Sequence, residues 1–428
     1  MRVMIIGASG LIGSTLSAQL KADGDDVVHV SRSATRGSSQ ARHSIVLDMA
    51  KALRPDDWIP SLVGVDAVIN CAGVLQDNAW DRTAAVHAAG ASALFRACEK
   101  VGVSRVIHFS AMGVDREQPS AFSASKLAGD VALMERDLDW VILRPSVVLG
   151  RPAYGASALF RGLAALPLLP VMPATGRLQV VQLRDIVHTV RFFLRPESPS
   201  RLAVDIAGPE DLTMSEVVAH YRAWLGWKTA RKVALPGWAA RALYRLGDAA
   251  GLLGWRPPIR SNAQREIARG ATGNIETWTA LTGILPMRLG DALAVDPPTV
   301  QERWFAGLYF VKPAIFVVLP FFWIMTGIIS LTSGWRSGVQ LLAVTAIAPV
   351  AELAVVAGAL ADIAVGTLIA LRRTSRLGLW GAIATSFFYG VAGTILRPDL
   401  WNEPLGPLLK ILPIIALHLV ALAILEER

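Results

Sequence analysis

The stretch RVMIIGASGLIG, residues 2–13, decides the fold of the first part of this chain. A short apolar run leads directly into a turn that carries three glycines, and a helical pattern follows the turn. Glycine has no Cβ, so backbone N–H groups can approach a phosphate closely, and the partial positive charge of a helix N-terminus favours an anion there. We therefore predict that the following residues hold the pyrophosphate of a dinucleotide: Gly7, Ala8, Ser9, Gly10, Leu11, Ile12 and Gly13.

Further short apolar runs recur at the spacing of a doubly wound parallel sheet. They cover residues 27–30, 44–47, 67–70, 105–109 and 140–143, and a helical pattern at 83–100 separates two of them. Parallel strands that are buried on both faces have this apolar composition. The pattern predicts an α/β Rossmann domain, and the strand context strengthens the interpretation of the glycine-rich turn as a cofactor site.

The composition divides the chain into a mixed part and an apolar part. The protein has 428 residues, 53% of them hydrophobic, and its mean hydropathy is +0.44. Almost all of the apolar excess follows Trp304, and the boundary lies near Asp296. Only Cys71 and Cys98 are present, and no histidine cluster has the spacing of metal ligands, so the sequence predicts neither a disulfide framework nor a metal site.

Four long apolar segments, at residues 305–331, 339–371, 377–396 and 408–425, predict an all-α bundle of four transmembrane helices. Each approaches the roughly 20 residues that cross a hydrocarbon core of about 30 Å. Arg372, Arg373 and Arg376 lie between the second and third segments, so the positive-inside rule predicts that this loop is cytoplasmic. No signal-peptide pattern precedes the first strand. We expect a multi-pass protein of the inner (cytoplasmic) membrane with both termini in the cytoplasm.

The net charge of the chain indicates which kinds of partner to expect. The formal net charge is +8, and no basic helix or basic-aromatic platform suggests that bases are read. The charge therefore predicts attraction to anionic membrane lipid and no nucleic-acid partner.

Five short motifs occur in a fixed order along the first part of the chain. They are GASGLIG at 7–13, NCAG at 70–73, IHFSA at 107–111, Ser125-Lys126, and LRPS at 143–146. Together they resemble the extended or atypical short-chain dehydrogenases-reductases, over residues 1 to about 225. The nearest subgroup contains the nucleotide-binding accessory subunit of mitochondrial complex I, whose later motifs match RDIV at 184–187 and GPE at 208–210. The resemblance implies a Rossmann domain that holds a nicotinamide dinucleotide, with a small α+β lobe at about 146–295.

The end of the second strand favours NADP over NAD. NAD-specific folds place a carboxylate there, whereas this chain has Ser31-Arg32-Ser33, with Arg36 close behind. Arginine pairs with a phosphate through two parallel hydrogen bonds, so we predict that Arg32 binds a 2′-phosphate. The alternative is a solvated loop charge. Asp48 matches the acidic position that similar proteins place beside adenine, and a helix N-cap is an equal alternative.

Catalysis receives less support from the sequence than cofactor binding. Typical family members have a tyrosine four residues before the lysine, which exchanges a proton with the substrate, but this chain has Phe122 there. Tyr154 or His188 could substitute from another loop, and each is also explained as a packing residue or a local hydrogen-bond donor. The resemblance implies that Ser110 and Lys126 are catalytic. It also implies cofactor contacts at Ala72, Gly73, Lys126 and Pro145.

The predicted lobe contains an aromatic and basic stretch. Trp238, Tyr244 and Trp255 alternate with Arg241, Arg245 and Arg256. Such a stretch suits either an amphipathic surface on the membrane or an ordinary half-buried helix. The first interpretation would let the site face lipid, which suits an apolar substrate such as a quinone or an isoprenoid.

The last part of the chain resembles the DoxX-like four-helix family, over roughly residues 305–425. The residues that carry this are DIAVG at 362–366, Tyr389-Gly390, and RPDLWNEPLGPLLK at 397–410. The wider group is associated with membrane redox systems and quinones. Glu352 and Asp362 are carboxylates within an apolar segment, and we expect either a functional role or a hydrogen bond between helices.

Two functions fit these observations. The first is a membrane-anchored NAD(P)H-binding oxidoreductase that acts on an apolar, membrane-associated redox substrate. The second is a non-catalytic NADPH-binding structural or assembly factor for a membrane redox complex, with other membrane redox proteins as partners. The predicted domains are 1–295, a linker at 296–304, and a membrane domain at 305–428.

Overall fold

The computed structural model describes residues 1–32, 44–74, 83–117, 119–255 and 257–425. The chain divides into two compact units, Met1–Asp248 with Pro258–Ala306, and Ala249–Pro257 with Gly307–Arg428. The second unit therefore takes in a short segment from the predicted lobe. The division at residues 296–304 stays a prediction.

Seven strands of the first unit form one parallel sheet in the spatial order β10-β6-β5-β4-β1-β2-β3 (ranges follow). Two further parallel pairs, β7 with β9 and β8 with β11, lie outside it. The order reverses between β1 and β4, as in doubly wound folds. The predicted Rossmann sheet is confirmed. The strands are β1 Arg2–Ile6, β2 Asp26–Ser31, β3 Ser44–Val46, β4 Ala67–Asn70, β5 Arg105–Phe109, β6 Asp139–Pro145, β7 Val148–Leu149, β8 Leu168–Val171, β9 Val181–Gln182, β10 Leu202–Ile206 and β11 Arg231–Ala234.

Helices cover the sheet and build the region that follows it. They are α1 Leu11–Ala22, α2 Ile59–Leu62, α3 Ala91–Val101, α4 Ala121–Met134, α5 Gly155–Ala165, α6 Leu183–Phe193, α7 Met214–Trp224, α8 Gly237–Leu252, α9 Ser261–Arg269, α10 Glu276–Thr282, α11 Leu289–Val295 and α12 Val300–Leu308.

The helix predicted at 83–100 is not a uniform α-helix. A wide π-helical turn, Ala85–Gly90, precedes α3. The chain is crowded on both sides of this turn, because a Cβ on Gly90 would lie 2.2 Å from the carbonyl oxygen of Met49, and one on Gly129 would lie 2.2 Å from that of His87. π-Helical turns are frequent at functional sites, and this one carries His87.

Among the described residues of the first unit, two large apolar clusters pack against the sheet, one on each face. Successive residues of β1 alternate between them, Met4 and Ile6 in one cluster and Val3 and Ile5 in the other. Trp278 of α10 is fully buried in the second cluster, and β10 pairs with β6. The predicted lobe therefore contributes a strand and core residues to the Rossmann sheet.

The second unit is helical. Its helices are α13 Val311–Leu331, α14 Trp335–Ala343, α15 Ala351–Ala370, α16 Ser375–Leu396 and α17 Ile411–Ile424. Within the described part of the chain, three helical segments are long and apolar enough to cross a membrane, Val311–Leu331, Ala348–Ala370 and Ser375–Leu396.

Two of the four predicted segments differ from the structure. The second, at 339–371, holds the end of α14 and all of α15, which are separated around Pro349, a residue without a backbone N–H. The fourth contains α17, which has 14 residues and is thus about 21 Å long, shorter than the hydrocarbon core. A count of four spans is not confirmed, and the orientation stays a prediction.

Candidate functional site

The glycine-rich turn lies at the carboxyl end of β1, where the strand order reverses. Gly7 has a φ of +76°, and its N–H donates to the carbonyl of Val30 at 3.1 Å. A Cβ on Gly13 would lie 2.3 Å from the carbonyl oxygen of Gly7, so only glycine fits there. Gly10 is the N-cap residue of α1 and has no side chain that could bond the helix start. The N–H groups of the first turn of α1 are therefore left for a ligand. This cradle fits the pyrophosphate of a dinucleotide.

The segment after β4 forms the neighbouring edge of the crevice. The side-chain oxygen of Asn70 accepts a hydrogen bond from the N–H of Ala72 at 3.1 Å, which fixes the turn. A Cβ on Gly73 would lie 3.7 Å from Nζ of Lys126 and 3.8 Å from Nε2 of His87. The structure therefore brings Ala72, Gly73 and Lys126 together, and their contact with a cofactor stays a prediction.

Lys126 of α4 is a buried cation. Its side chain is 4% exposed, and Nζ donates to the carbonyls of Phe109 at 2.8 Å and Ala72 at 3.3 Å. Burial lowers the pKa of Lys126 to about 8, although the negative charge of Asp130 opposes the shift. The amine can therefore gain and lose a proton near neutral pH.

Ser110 follows β5 and lies beside the residue that Lys126 contacts. Its N–H donates to the carbonyl of Leu143 at 2.8 Å, which fixes its backbone. Its hydroxyl oxygen is buried and forms no hydrogen bond of good geometry within the described chain, although Ser110 is near enough to lower the pKa of Asp130. A buried hydroxyl of this kind is a candidate contact for a ligand oxygen.

Position 122 belongs to an apolar wall beside a fixed histidine. Nε2 of His87 accepts from the N–H of Val74 at 2.9 Å, so Nδ1 carries the proton and donates to Oγ of Ser125 at 3.0 Å. Ser125 in turn donates to the carbonyl of Phe122 at 2.8 Å. Burial and the charge of Lys126 lower the pKa of His87 to about 2. His87 is thus held neutral, and the ring of Phe122 packs edge-on against it at 5.5 Å.

Asp130, which lies near Ser110, is the centre of a second cluster of buried polar side chains. Arg144 donates to Oδ2 of Asp130 through Nε at 3.3 Å and Nη2 at 3.1 Å, and to Asp115 through Nη1 at 2.7 Å. Nε2 of His108 lies 3.6 Å from Oδ1 of Asp130, and Nδ1 accepts from the amide of Asn70 at 3.2 Å. Burial raises the pKa of Asp130 and lowers that of His108.

Sequence reasoning missed His87 and Asp130. Asp130 stands four residues after Lys126, so both side chains lie on one face of α4, and this spacing is a usable signal. His87 depends on the π-helical turn, which the apolar pattern does not reveal.

The remaining predicted cofactor residues lie around the same edge of the sheet. Arg32 is exposed directly after β2, whereas Ser33 and Arg36 lie outside the described residues. Oδ1 of Asp48 accepts from the N–H of Ala50 at 3.1 Å, so the carboxylate caps a turn, and its predicted place beside adenine stays a prediction. Pro145 ends β6, and its carbonyl accepts from Met112 at 3.1 Å.

The two proposed substitutes for the missing tyrosine lie in different places. The hydroxyl of Tyr154 donates to the carbonyl of Ser9 at 3.2 Å, so this side chain reaches the glycine-rich turn. His188 is exposed on α6 and lines a separate cavity. In the described part of the chain, no group of three histidine, cysteine or acidic side chains could hold a metal ion.

The carboxylates of the membrane segment differ in environment. Asp362 is 3% exposed, and its Oδ1 accepts from the hydroxyl of Tyr389 at 2.8 Å, which joins α15 to α16. Glu352 is exposed in the first turn of α15. Asp362 thus forms the hydrogen bond between helices that the sequence analysis leaves open.

The aromatic and basic stretch contains α8. Tyr244 is buried, whereas Trp238 is 70% exposed beside Arg241 and Arg245. Trp255 belongs to the second unit, where its Nε1 donates to the carbonyl of Ala370 at 2.9 Å. Arg256 lies outside the described residues.

Comparison with known families matches both parts of the chain. A family described as NAD(P)H-binding matches residues 7–163, and the DoxX-like family matches residues 320–419. An uncharacterized protein of Mycobacterium tuberculosis strain H37Rv is 26% identical over 219 residues, which are 51% of this chain and 23% of that protein. The chain thus spans about a quarter of the length of this relative. A ceramide reductase of Caulobacter vibrioides is 28% identical over 132 residues, 31% of this chain and 41% of that enzyme.

Solved structures resemble the fold of the first unit. The Bordetella bronchiseptica enzyme WbmG in complex with NAD has 17% identity and a TM-score of 0.54, covering 72% of this chain and 95% of WbmG. A UDP-glucuronic acid 4-epimerase of Bacillus cereus, in complex with UDP-glucuronic acid and NAD, has 19% identity and a TM-score of 0.52, covering 72% and 100%. The N-terminal part of the protein therefore has a Rossmann fold and matches an NAD(P)H-binding family, and its C-terminal part matches the DoxX-like family.

Proposed function

We propose that this protein is a membrane-anchored, NADPH-dependent oxidoreductase whose acceptor is an apolar, membrane-associated molecule of the quinone or isoprenoid type. The observation that carries the proposal is the buried Lys126 beside Ser110, at the edge of the sheet where the glycine-rich turn lies. A structural dinucleotide would use the turn, and Lys126 for a ribose hydroxyl, but it would not require the buried hydroxyl of Ser110 beside them.

A dihydronicotinamide supplies a hydride when it is bound, so the residues of this chain have to orient an acceptor and provide a proton. The hydroxyl of Ser110 is the donor toward the acceptor oxygen. An ammonium has three N–H donors, and Lys126 uses two of them on the carbonyls of Phe109 and Ala72. The third is left for a ribose hydroxyl or for delivery of a proton. Proton donation by Lys126 would replace the role of the missing tyrosine.

Three observations favour an apolar acceptor. Phe122 places an apolar ring beside His87, where a tyrosine hydroxyl is usual in the resembling family. The described part of the chain carries three helical segments that could cross a membrane. One partial relative is named a ceramide reductase, and ceramide is a membrane lipid.

Arg32 supports NADPH as the preferred cofactor. It is exposed directly after β2, the place at which NAD-specific folds carry an acidic residue. A guanidinium there favours a 2′-phosphate over a bare hydroxyl.

A non-catalytic role is the second candidate, and Phe122 is the observation that favours it. A phenyl ring cannot donate a proton, and both ring nitrogens of the neighbouring His87 are already engaged. In this candidate the dinucleotide stabilises the first unit, and the protein acts as an assembly factor in a membrane redox complex.

The proposal is tested with full-length protein in lipid nanodiscs, by following NADPH oxidation with decylubiquinone as the acceptor. Ser110→Ala should lower the rate by about 10²-fold or more while the nucleotide stays bound, whereas Phe122→Tyr should raise it. Ser123→Ala is the matched control, since this buried serine of α4 bonds Glu266 at 2.9 Å instead. If no variant turns over although all bind NADPH, the second candidate is supported.

A further inference from the structure

The first unit contains a second cavity, apart from the crevice at the carboxyl end of the sheet. Its volume is about 380 Å³, and residues of α1, α6, α7 and α11 line it. Small-molecule sites commonly have volumes of this size. The mechanism proposed above uses none of its lining residues.

Arg161 of α5 is a buried cation in the wall of this cavity. Its side chain is 3% exposed, Nη2 donates to the carbonyl of Gly150 at 2.7 Å, and the guanidinium lies 5.6 Å and 5.4 Å from the ring centres of Tyr221 and Trp224. Nε is buried and has no hydrogen-bond partner among the residues that the structure describes. The described chain also provides no carboxylate that forms an ion pair with this guanidinium. An arginine charge buried without a counter-charge is costly, so an anion is the complement that the site lacks.

The other arginines of the wall are already paired. Arg151 pairs with Asp296 at 3.1 Å and with Glu302 at 3.6 Å, and Arg184 pairs with Asp185 at 3.7 Å, so Arg161 is the wall arginine without a carboxylate partner among the described residues. Nε2 of Gln182 is a second buried donor that lacks a partner in the described part of the protein. The unpaired guanidinium of Arg161 and the unpartnered donor of Gln182 therefore select an oxyanion.

The rest of the wall is apolar. Leu183 and Val187 of α6, with Leu293 and Val295 of α11, provide aliphatic surface in the same cavity. A bare inorganic ion would leave this surface without contacts. A ligand with an anionic head and a short apolar body uses both parts of the wall.

We propose that this cavity binds a small organic anion, with a carboxylate or phosphate head at Arg161 and Gln182 and an apolar body against α6 and α11. None of the residues that line this cavity belongs to the glycine-rich turn, but two hydrogen bonds link the cavity wall to that turn. Arg161 holds the carbonyl of Gly150, and four residues later the hydroxyl of Tyr154 donates to Ser9 of the glycine-rich turn.

Calorimetric titration of the full chain in nanodiscs tests this site, with saturating NADPH present to cover the crevice. The probes are inorganic phosphate, hexyl phosphate and octanoate. We expect hexyl phosphate or octanoate to bind at least tenfold more tightly than inorganic phosphate, and the tighter of the two identifies the head group. Saturable binding of none of the three probes would overturn the proposal.

Variants locate the binding. Arg161→Met should weaken the tighter probe at least tenfold, whereas Arg177→Met, which removes a surface arginine paired with Asp211, should leave its affinity unchanged. Ala292→Phe fills the cavity and keeps Arg161, so it should also abolish binding and serves where Arg161→Met does not fold. Wild-type affinity in a folded Arg161→Met variant, or in Ala292→Phe, would show that the anion binds elsewhere.

Discussion

Lys126 is a cation held almost entirely out of water, and its energetics depend on pH. Burial lowers its pKa from 10.5 to about 8. Between these two values the unfolded lysine is protonated and the folded one is largely neutral, so the free energy of unfolding rises with pH across this window. Below about pH 8 the folded protein carries the cost of a buried charge.

The same titration predicts a pH profile for the proposed reaction. kcat/KM for NADPH oxidation should fall above about pH 8, because the neutral amine can no longer deliver a proton. Lys126→Met should remove this inflection. The measurement is a rate profile over roughly pH 6 to 10 in nanodiscs. A wild-type profile without an inflection in that range would exclude Lys126 as the proton source.

Arg32 determines the predicted choice between the two nucleotides. Arg32→Ala should weaken NADPH binding by about 1.5–3 kcal/mol, the contribution of a charge-assisted hydrogen bond, and leave NADH binding nearly unchanged. Arg54→Ala is a suitable control, because Arg54 is also a surface arginine and pairs only locally with Asp57 at 3.5 Å. Equal affinities for NADPH and NADH in the wild-type protein would contradict the assignment.

For single residues, the sequence identifies those whose role follows from a short contiguous motif. The glycines of the turn and Lys126 belong to short contiguous patterns, and the structure places them along one edge of the sheet. Asp130 has a local signal in its spacing of four residues from Lys126, but His87 and Arg161 could not be found in this way. Their roles depend on burial and on partners that the fold brings from elsewhere in the chain.

Among the elements, the turn between β1 and α1 tolerates the least change. Gly13→Ala should lower NADPH affinity at least tenfold and reduce the melting temperature, because the new Cβ would lie 2.3 Å from a backbone carbonyl oxygen. Gly307→Ala is the control, since a Cβ there meets open space and alanine favours a helix. Unchanged nucleotide affinity in Gly13→Ala would show that the helix start can move away from β1.

The hydrogen bond between α15 and α16 makes a small contribution to the stability of the second unit. Tyr389→Phe removes the donor to Asp362 and should destabilise the second unit by about 0.6 kcal/mol, the average for hydrogen bonds between membrane helices, within a range whose upper end is about 1.7 kcal/mol. Reversible unfolding in mixed micelles measures this change. A loss well above that range would point to a role for Asp362 beyond one hydrogen bond.

The existence of most elements is predictable from apolar periodicity, but several boundaries are not. The strands β4 and β5 coincide with the predicted runs because their buried residues are contiguous. The π-helical turn before α3 and the division between α14 and α15 lie within stretches that are mainly apolar. Apolar content alone does not report the backbone hydrogen bonds that change there.

For the whole molecule, the arginine loop fixes the predicted topology. In a variant whose Cys71 and Cys98 are replaced by alanine, a single cysteine at position 373 should be labelled only from the cytoplasmic side, and one at position 403 only from the other side. In a separate variant, the side from which a cysteine at the C-terminus is labelled reports whether the 14-residue α17 crosses the membrane. A crossing returns the C-terminus to the cytoplasm. Cytoplasmic labelling of Glu403 alone would reverse the orientation.

The most direct test of the central claim is a single-turnover measurement. Full-length protein in nanodiscs is loaded with one equivalent of NADPH and mixed with decylubiquinone, and nicotinamide absorbance and bound nucleotide are followed together. The proposed function predicts complete conversion to NADP⁺, faster than in the Ser110→Ala variant and dependent on the quinone. NADPH that stays bound and reduced in the presence of the quinone would contradict it.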